Sequence, residues 1–248
     1  MKDTLNYLIN NAKTDEVIDL NNTKYLYHGI FIPYFADSSP ITSIIENGIL
    51  TVKDQYKNGI ITLDELQKYE PQNKGLLKFL KSKFNNGQLT LSNSRTNIVF
   101  FSPNRNLFNR VFDVSFVVRR ESNYYYLEQK EEDYYIRQAH LDDEKEIIKK
   151  AGKYDYTEFV KIGSVLPSDF VAIKINYDEL IDQNSVEERG VSFEEIPIRI
   201  INMVNDIYDK LEEMNLNIPI INNGDGRVLS KKVFRHLKET LNYGKRHI

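Results

Sequence analysis

The sequence predicts an α+β fold, in which a β-sheet core is flanked by helices and followed by a helical C-terminal portion. Strand-like apolar runs are separated by helical patterns early in the chain, and they follow one another between about residues 97 and 176. After about residue 177, apolar residues recur at helical spacing instead. Strands that are grouped in this way favour an α+β arrangement over a doubly wound sheet, which needs regular alternation of strand and helix.

The first 90 residues predict a strand with helices on both sides of it. Apolar residues at helical spacing predict a short helix over residues 3–13. The run KYLYHG, residues 24–29, is rich in aromatic residues and predicts a strand. Residues 62–84 hold two further helical patterns, TLDELQKY and KGLLKFLKSKF. The early part of the chain therefore supplies flanking helices around at least one strand.

The segment SSPITSIIENGIL, residues 38–50, is the best-marked helix of the sequence. Ser38 or Ser39 can cap its start, and Pro40 suits the first turn, where its missing N–H has no helical partner. The Asn-Gly pair at 47–48 is typical of a helix end. The letters GIL that close the segment predict the restart of a strand.

The middle of the chain predicts most of the sheet. The strand-like runs are NIVFFS (97–102), FDVSFVVRR (112–120), NYYYLEQ (123–129), YTEFVKIG (156–163) and DFVAIKIN (169–176). Between the third and fourth of them, DDEKEIIKKAGK (142–153) has acidic residues first and basic residues last, as the helix dipole favours.

The C-terminal residues predict helices around a turn. FEEIPIRIINMVNDIYDKLEEM (193–214) and VLSKKVFRHLKETL (228–241) have amphipathic patterns, and INNGDGR (221–227) is rich in turn residues. We therefore divide the chain into an α/β body, residues 1–177, and a helical C-terminal portion, residues 178–248.

Composition excludes several classes of function. The chain of 248 residues has no cysteine, which excludes disulfides and thiolate chemistry, and its four histidines are scattered, so we expect no metal site. The N-terminus lacks an apolar signal core, and no run is long enough to cross a membrane, so we expect a soluble, cytoplasmic protein. The net charge of −3 argues against a general nucleic-acid binder, and the six Lys and Arg after residue 230 are more typical of a solvated helix face.

Three motifs are individually weak but stand in an informative order: YLYHG, then IVFFSPNRNLF, then YTEFVKIGSVLPSDFVAIKI, with the capped helix after the first. This series, over about residues 24–176, resembles the ADP-ribosyltransferase superfamily of the His-Tyr-Glu type, which includes poly-ADP-ribose polymerases and DarT-type toxins. The FFSPN segment is most similar to the toxins. The resemblance implies a split β-sheet core, NAD as the substrate, and ADP-ribose transfer to a nucleic acid or protein.

The resemblance also implies a role for each motif residue. His28 would hydrogen-bond a ribose or the nicotinamide part of NAD, and Gly29 would let the backbone approach the nicotinamide amide. Phe100 would stack on the nicotinamide ring, and the Ser102 hydroxyl would add a contact. Glu158 would be the catalytic carboxylate, because nicotinamide departure builds positive charge on the ribose.

Arginines beside the second motif are candidates for the pyrophosphate of NAD. A guanidinium suits phosphate oxygens, and Arg95, Arg105 and Arg110 flank the second motif; we assign the role to Arg95. In the simpler interpretation, at least two of the three are ordinary surface residues. Other signatures of nucleotide binding or hydrolysis, such as GxGxxG, GxxxxGK[ST] and HExxH, are absent.

Two positions differ from the family pattern and keep other functions open. Ile30 stands where relatives often have Ser or Thr, and Phe100 stands where many have Tyr. A protein of the same fold that binds NAD, an ADP-ribose-containing nucleotide or a macromolecule without turnover is therefore the alternative. A third hypothesis is an α+β interaction protein whose C-terminal helices dock a partner.

Overall fold

A computed structural model gives the fold of the chain. It describes residues 7, 10–20, 24–30, 32, 36–68, 98–102, 113–121, 124–130, 133–138, 158–176, 192, 195–222 and 225–245. Arg95, the second helical pattern of 62–84 and the predicted helix at 142–153 lie outside these residues.

The described residues form ten strands and five α-helices. The strands are β1 Lys13–Val17, β2 Tyr25–Ile30, β3 Ile98–Phe101, β4 Val114–Arg119, β5 Tyr124–Lys130, β6 Asp133–Gln138, β7 Glu158–Ile162, β8 Phe170–Ile175, β9 Ile220–Asn222 and β10 Arg227–Leu229. The helices are α1 Ser39–Asn47, α2 Val52–Lys57, α3 Leu63–Lys68, α4 Ile196–Glu213 and α5 Lys231–Lys245. Within the described part of the chain, no helix is long and apolar enough to cross a membrane.

The strands form two sheets that meet at β2 and β3. The larger sheet has the order β1-β10-β9-β8-β4-β2 and is antiparallel except between β8 and β9, and the smaller has the antiparallel order β3-β7-β5-β6. Tyr27 of β2 and Ser102, just after β3, exchange two backbone hydrogen bonds of 2.9 Å and join the sheets. The α+β class with a split sheet and flanking helices is confirmed.

Helix α1 has the boundaries that its sequence predicts, but Ser38 does not form the predicted cap. Its buried face consists of Ile41 and Ile45, one turn apart. Ser38 stands at the N-cap position but makes no capping bond, and its hydroxyl instead donates to the Asp206 carboxylate of α4 at 3.0 Å. The side-chain cap predicted for Ser38 is therefore not formed, because Ser38 has helical backbone angles (φ −78°, ψ −15°) in place of the extended angles that are typical of an N-cap residue.

The main core lies between the larger sheet and helices α1, α4 and α5. Buried apolar residues of α4 recur at helical spacing, among them Ile200, Ile201, Val204, Ile207 and Leu211. Strand β4 is buried along nearly its whole length, because a second cluster around Tyr27 covers its other face. The division at residue 177 stays a prediction, and the main core includes residues from both sides of it.

The short elements are where the sequence expectations differ from the structure. Residues 10–12 are helical, but β1 begins at Lys13. Ile49 of the GIL segment forms a single bridge with Val165 in place of a strand. The turn predicted at 221–227 connects two three-residue strands, β9 and β10, that the sequence analysis missed. Such strands are too short to show a period of two.

Candidate functional site

His28 lies where the two sheets meet. It belongs to β2 and pairs with Phe116 of β4, and its ring Nδ1 is 2.9 Å from the backbone oxygen of Phe100 in β3, 72 residues away. A carbonyl oxygen only accepts hydrogen bonds, so Nδ1 must carry the proton. In the neutral ring, Nε2 is then an acceptor, which is the group that a ligand hydroxyl or amide would meet.

The two phenylalanines of FFSPN have different surroundings. Phe101 is buried, its ring centroid lies 5.7 Å from that of His28, and it makes an edge contact of 5.3 Å with Tyr124. Phe100 is only half-buried and faces a cavity. Strand alternation places one ring in the core and leaves the other, the predicted stacking residue, beside the cavity.

A cavity of about 360 Å³ opens between β3 and the region of α1 and α2, and it brings His28 and Phe100 together. Ligand pockets in proteins fall in the same size range. Its lining within the described chain consists of His28, Pro40, Ser43, Ile44, Asn47, Gly48, Ile49, Leu50, Val52, Gln55, Ile60, Ile98, Val99 and Phe100. Mostly apolar walls with a few polar groups are typical of small-molecule sites.

Gly29 and Ser102 lie close to this cavity without lining it. Gly29 pairs with Ser115 of β4, immediately after His28. Ser102 is 4% exposed and bridges to Tyr27 through its backbone. The contacts that the resemblance implies for these two residues stay predictions.

Glu158 begins β7, the strand next to β3. The register pairs Phe101 with Phe159 and Phe100 with Val160, so one further step in the antiparallel ladder brings Glu158 opposite Ser102. Ser102 in turn bridges to Tyr27, the neighbour of His28. The backbone thus places positions 28, 102 and 158 on three adjacent chain segments, while the catalytic role of Glu158 stays a prediction.

The surroundings of His28 favour its neutral form. Desolvation by the enclosing protein lowers the pKa of the imidazole, and the hydrogen bond to Phe100 offsets only part of that effect. At a pH below 6.5, the ordinary pKa of histidine, the unfolded chain therefore binds more protons at this position than the folded chain.

Lowering the pH from 7 to 5 is expected to reduce the free energy of unfolding, because folded His28 resists protonation. The loss begins near the unfolded value of 6.5 and is complete below the lowered folded pKa. Urea unfolding across this range should show a steeper fall for the native chain than for His28→Asn, whose amide can still donate to Phe100. Parallel curves for the two proteins would exclude His28 as the group that titrates.

Helix α2 contributes to the cavity and was missed by the sequence analysis. Thr51 caps it by accepting from the Asp54 N–H, and the Thr51 hydroxyl donates to the Asp54 carboxylate at 2.9 Å. The spacing of Thr51 and Asp54 is that of a capping box, so the signal was present in the sequence. Among the described residues, no group of three or more His, Asp or Glu could hold a metal ion.

Comparisons with known proteins give one structural likeness. No protein-family model and no curated protein matches the sequence. The structure aligns with that of DarTG from Thermosipho africanus in complex with ADP-ribose, with a TM-score of 0.43 and 11% identity. The alignment covers 85% of this chain and 51% of that one, so this chain spans about half the length of the other.

Proposed function

We propose that the protein is an NAD-dependent ADP-ribosyltransferase, which releases nicotinamide and transfers ADP-ribose to a nucleic-acid or protein acceptor. The observation that carries the proposal is the pairing of His28 with Phe100. Two residues from separate motifs are hydrogen-bonded to each other and line one cavity. We infer the type of reaction from the order of the motifs, and we propose the cavity as its site.

The cavity suits the nicotinamide end of NAD. The half-buried Phe100 ring offers a stacking surface, and Ile44, Ile49 and Val99 are apolar neighbours in the lining. The neutral His28 ring presents Nε2 as an acceptor for a ribose hydroxyl or the carboxamide N–H. A neutral imidazole is also compatible with the positive charge of the nicotinamide ring, because it adds no repulsion.

Glu158 would stabilise the transition state of transfer. The bond between the ribose anomeric carbon and the nicotinamide nitrogen breaks, its electron pair leaves with nicotinamide, and the ribose becomes oxocarbenium-like. A carboxylate at that sugar offsets the charge and can accept the proton of the incoming nucleophile as the new bond forms. The register of β7 with β3 supports a place for this residue near Ser102.

The direct test is incubation of the purified protein with NAD and candidate acceptors, followed by mass spectrometry. We expect free nicotinamide, together with an acceptor whose mass has increased by one ADP-ribosyl group. Separate reactions, each with the same amount of a DNA, RNA or protein acceptor, would identify the acceptor class. No nicotinamide release with any acceptor, under conditions where the protein is folded, would exclude the transferase.

Ile30 favours the alternative of binding without turnover. It occupies the position two after His28, pairs with Val114 and packs partly against the core. An apolar side chain there offers no hydroxyl to the cofactor, which removes one contact without closing the cavity. Thermal stabilisation by NAD or ADP-ribose with no nicotinamide released would support this second function.

A further inference from the structure

The cavity has a second wall, and an unpredicted set of hydrogen bonds holds it in place. We name residues 48–51 the cleft wall, since Gly48, Ile49 and Leu50 line the same cavity as His28 and Phe100. This segment joins α1 to α2 and has no regular structure apart from one bridge. Its position therefore depends on contacts with the rest of the chain.

Hydrogen bonds connect the cleft wall to the loop that follows β7. Ile49 and Val165 exchange two backbone hydrogen bonds of 2.9 Å. The Thr51 N–H donates to the Ser164 hydroxyl oxygen at 2.9 Å, and that hydroxyl donates to the Asp54 carboxylate at 2.6 Å. Ser164 thus accepts from the wall and donates to the helix after it, across 110 residues of sequence.

Both carboxylate oxygens of Asp54 take part in these interactions. One carboxylate oxygen accepts from the hydroxyls of Ser164 and Thr51, and the other lies 3.2 Å from the Lys57 ammonium. Burial raises the pKa of Asp54, but the hydrogen bonds from Ser164, Thr51 and Lys57 outweigh it and leave the pKa lowered. The carboxylate therefore stays ionised at neutral pH, and hydrogen bonds to an ionised acceptor are among the stronger ones.

Helix capping alone does not account for this arrangement. The next helix, α3, has the same kind of cap: Thr62 donates to the Glu65 carboxylate at 2.8 Å, and the Glu65 N–H lies 3.3 Å from the Thr62 hydroxyl. Both residues of that cap are exposed. The cap of α2 differs because Ser164, from a distant loop, is inserted into it.

We infer that Ser164 and Asp54 are positioning residues for NAD, which hold the cleft wall at a fixed distance from the strand that carries Glu158. The inference rests on the proposed function. Strand β7 pairs with β3, and the loop that follows β7 holds the cleft wall. A ligand between Phe100 and Ile49 would therefore contact two walls that are fixed to the same strand, and it would meet a cleft that needs no reorganisation on binding.

The test measures the dissociation constant for NAD by calorimetry, well below the melting temperature. In Ser164→Ala the bond to Asp54 and the acceptor for Thr51 are lost, while the cap of α2 remains. We expect the dissociation constant to rise about tenfold, which is the scale of the loss of one charge-assisted hydrogen bond. Ser164→Thr, which keeps the hydroxyl, should restore native affinity.

The matched control is Thr62→Ala, which removes a hydroxyl–carboxylate bond of the same kind from α3. It should leave the dissociation constant unchanged. If the enzyme turns over, Ser164→Ala should raise KM for NAD and leave kcat close to native, because β7 keeps both of its neighbouring strands. NAD binding that is the same in Ser164→Ala as in the native chain would overturn the inference alone, whereas a native chain that binds no NAD would overturn both it and the proposed function.

Discussion

Glu158→Gln is expected to lower the rate of nicotinamide release by about 100-fold or more, which is the scale of a removed general base or transition-state charge. Glutamine keeps the size of the side chain and removes the charge that would oppose the developing ribose cation. NAD affinity should change little, because the interaction strengthens only as the bond breaks. A single-turnover assay of nicotinamide release, with the dissociation constant measured in parallel, separates the two effects.

A carboxylate elsewhere in the chain provides the control for that experiment. Glu16 is exposed on β1, at the far edge of the larger sheet, so Glu16→Gln should release nicotinamide at the native rate. Far-UV circular dichroism and the melting temperature would show that Glu158→Gln remains folded. A folded Glu158→Gln protein with native turnover would remove Glu158 from the mechanism.

The part of the site that the sequence predicts is the part carried by strands rich in aromatic and β-branched residues. β2, β3 and β7 have the aromatic and β-branched residues that mark strands, so His28, Phe100 and Glu158 were placed on the correct elements. Their pairing follows from the sheet order, which a single sequence does not contain. The hydrogen bond from His28 to the Phe100 carbonyl is an example, because it joins a side chain to a backbone group and therefore has no signature in the residue types of the sequence.

The cleft wall shows why the rest of the site could not be predicted. Ser164 lies in the SVLPS loop, where a serine is typical of any turn, and its partners are Thr51 and Asp54. The Thr51–Asp54 spacing predicts a helix cap, which is correct locally, but nothing in it indicates a third member 110 residues away. Tertiary hydrogen bonds of this kind are specified by packing, and packing is a property of the assembled fold.

Gly48 is the glycine of the cleft wall, and two features of its surroundings oppose a larger residue. It ends α1 with φ of +82° and ψ of −178°, a region of backbone conformation that is essentially restricted to glycine. A Cβ at this position would lie 2.1 Å from the Val165 backbone oxygen, which is already bonded to the Ile49 N–H. The glycine therefore serves two needs at once: an unusual turn and a close approach of two backbones.

Gly48→Ala is expected to reduce the free energy of unfolding by about 3 kcal/mol or more, from backbone strain plus a contact that only backbone movement can relieve. Gly59→Ala is the matched control: Gly59 also has a positive φ, of +70°, but nothing lies within 4 Å of its added Cβ. It should lose only about 1–2 kcal/mol, the cost of the left-handed conformation alone. Urea unfolding of both variants gives the difference, which combines the more restricted backbone region of Gly48 with its close approach to Val165. Equal losses would mean that neither feature adds a cost, which would contradict the prediction.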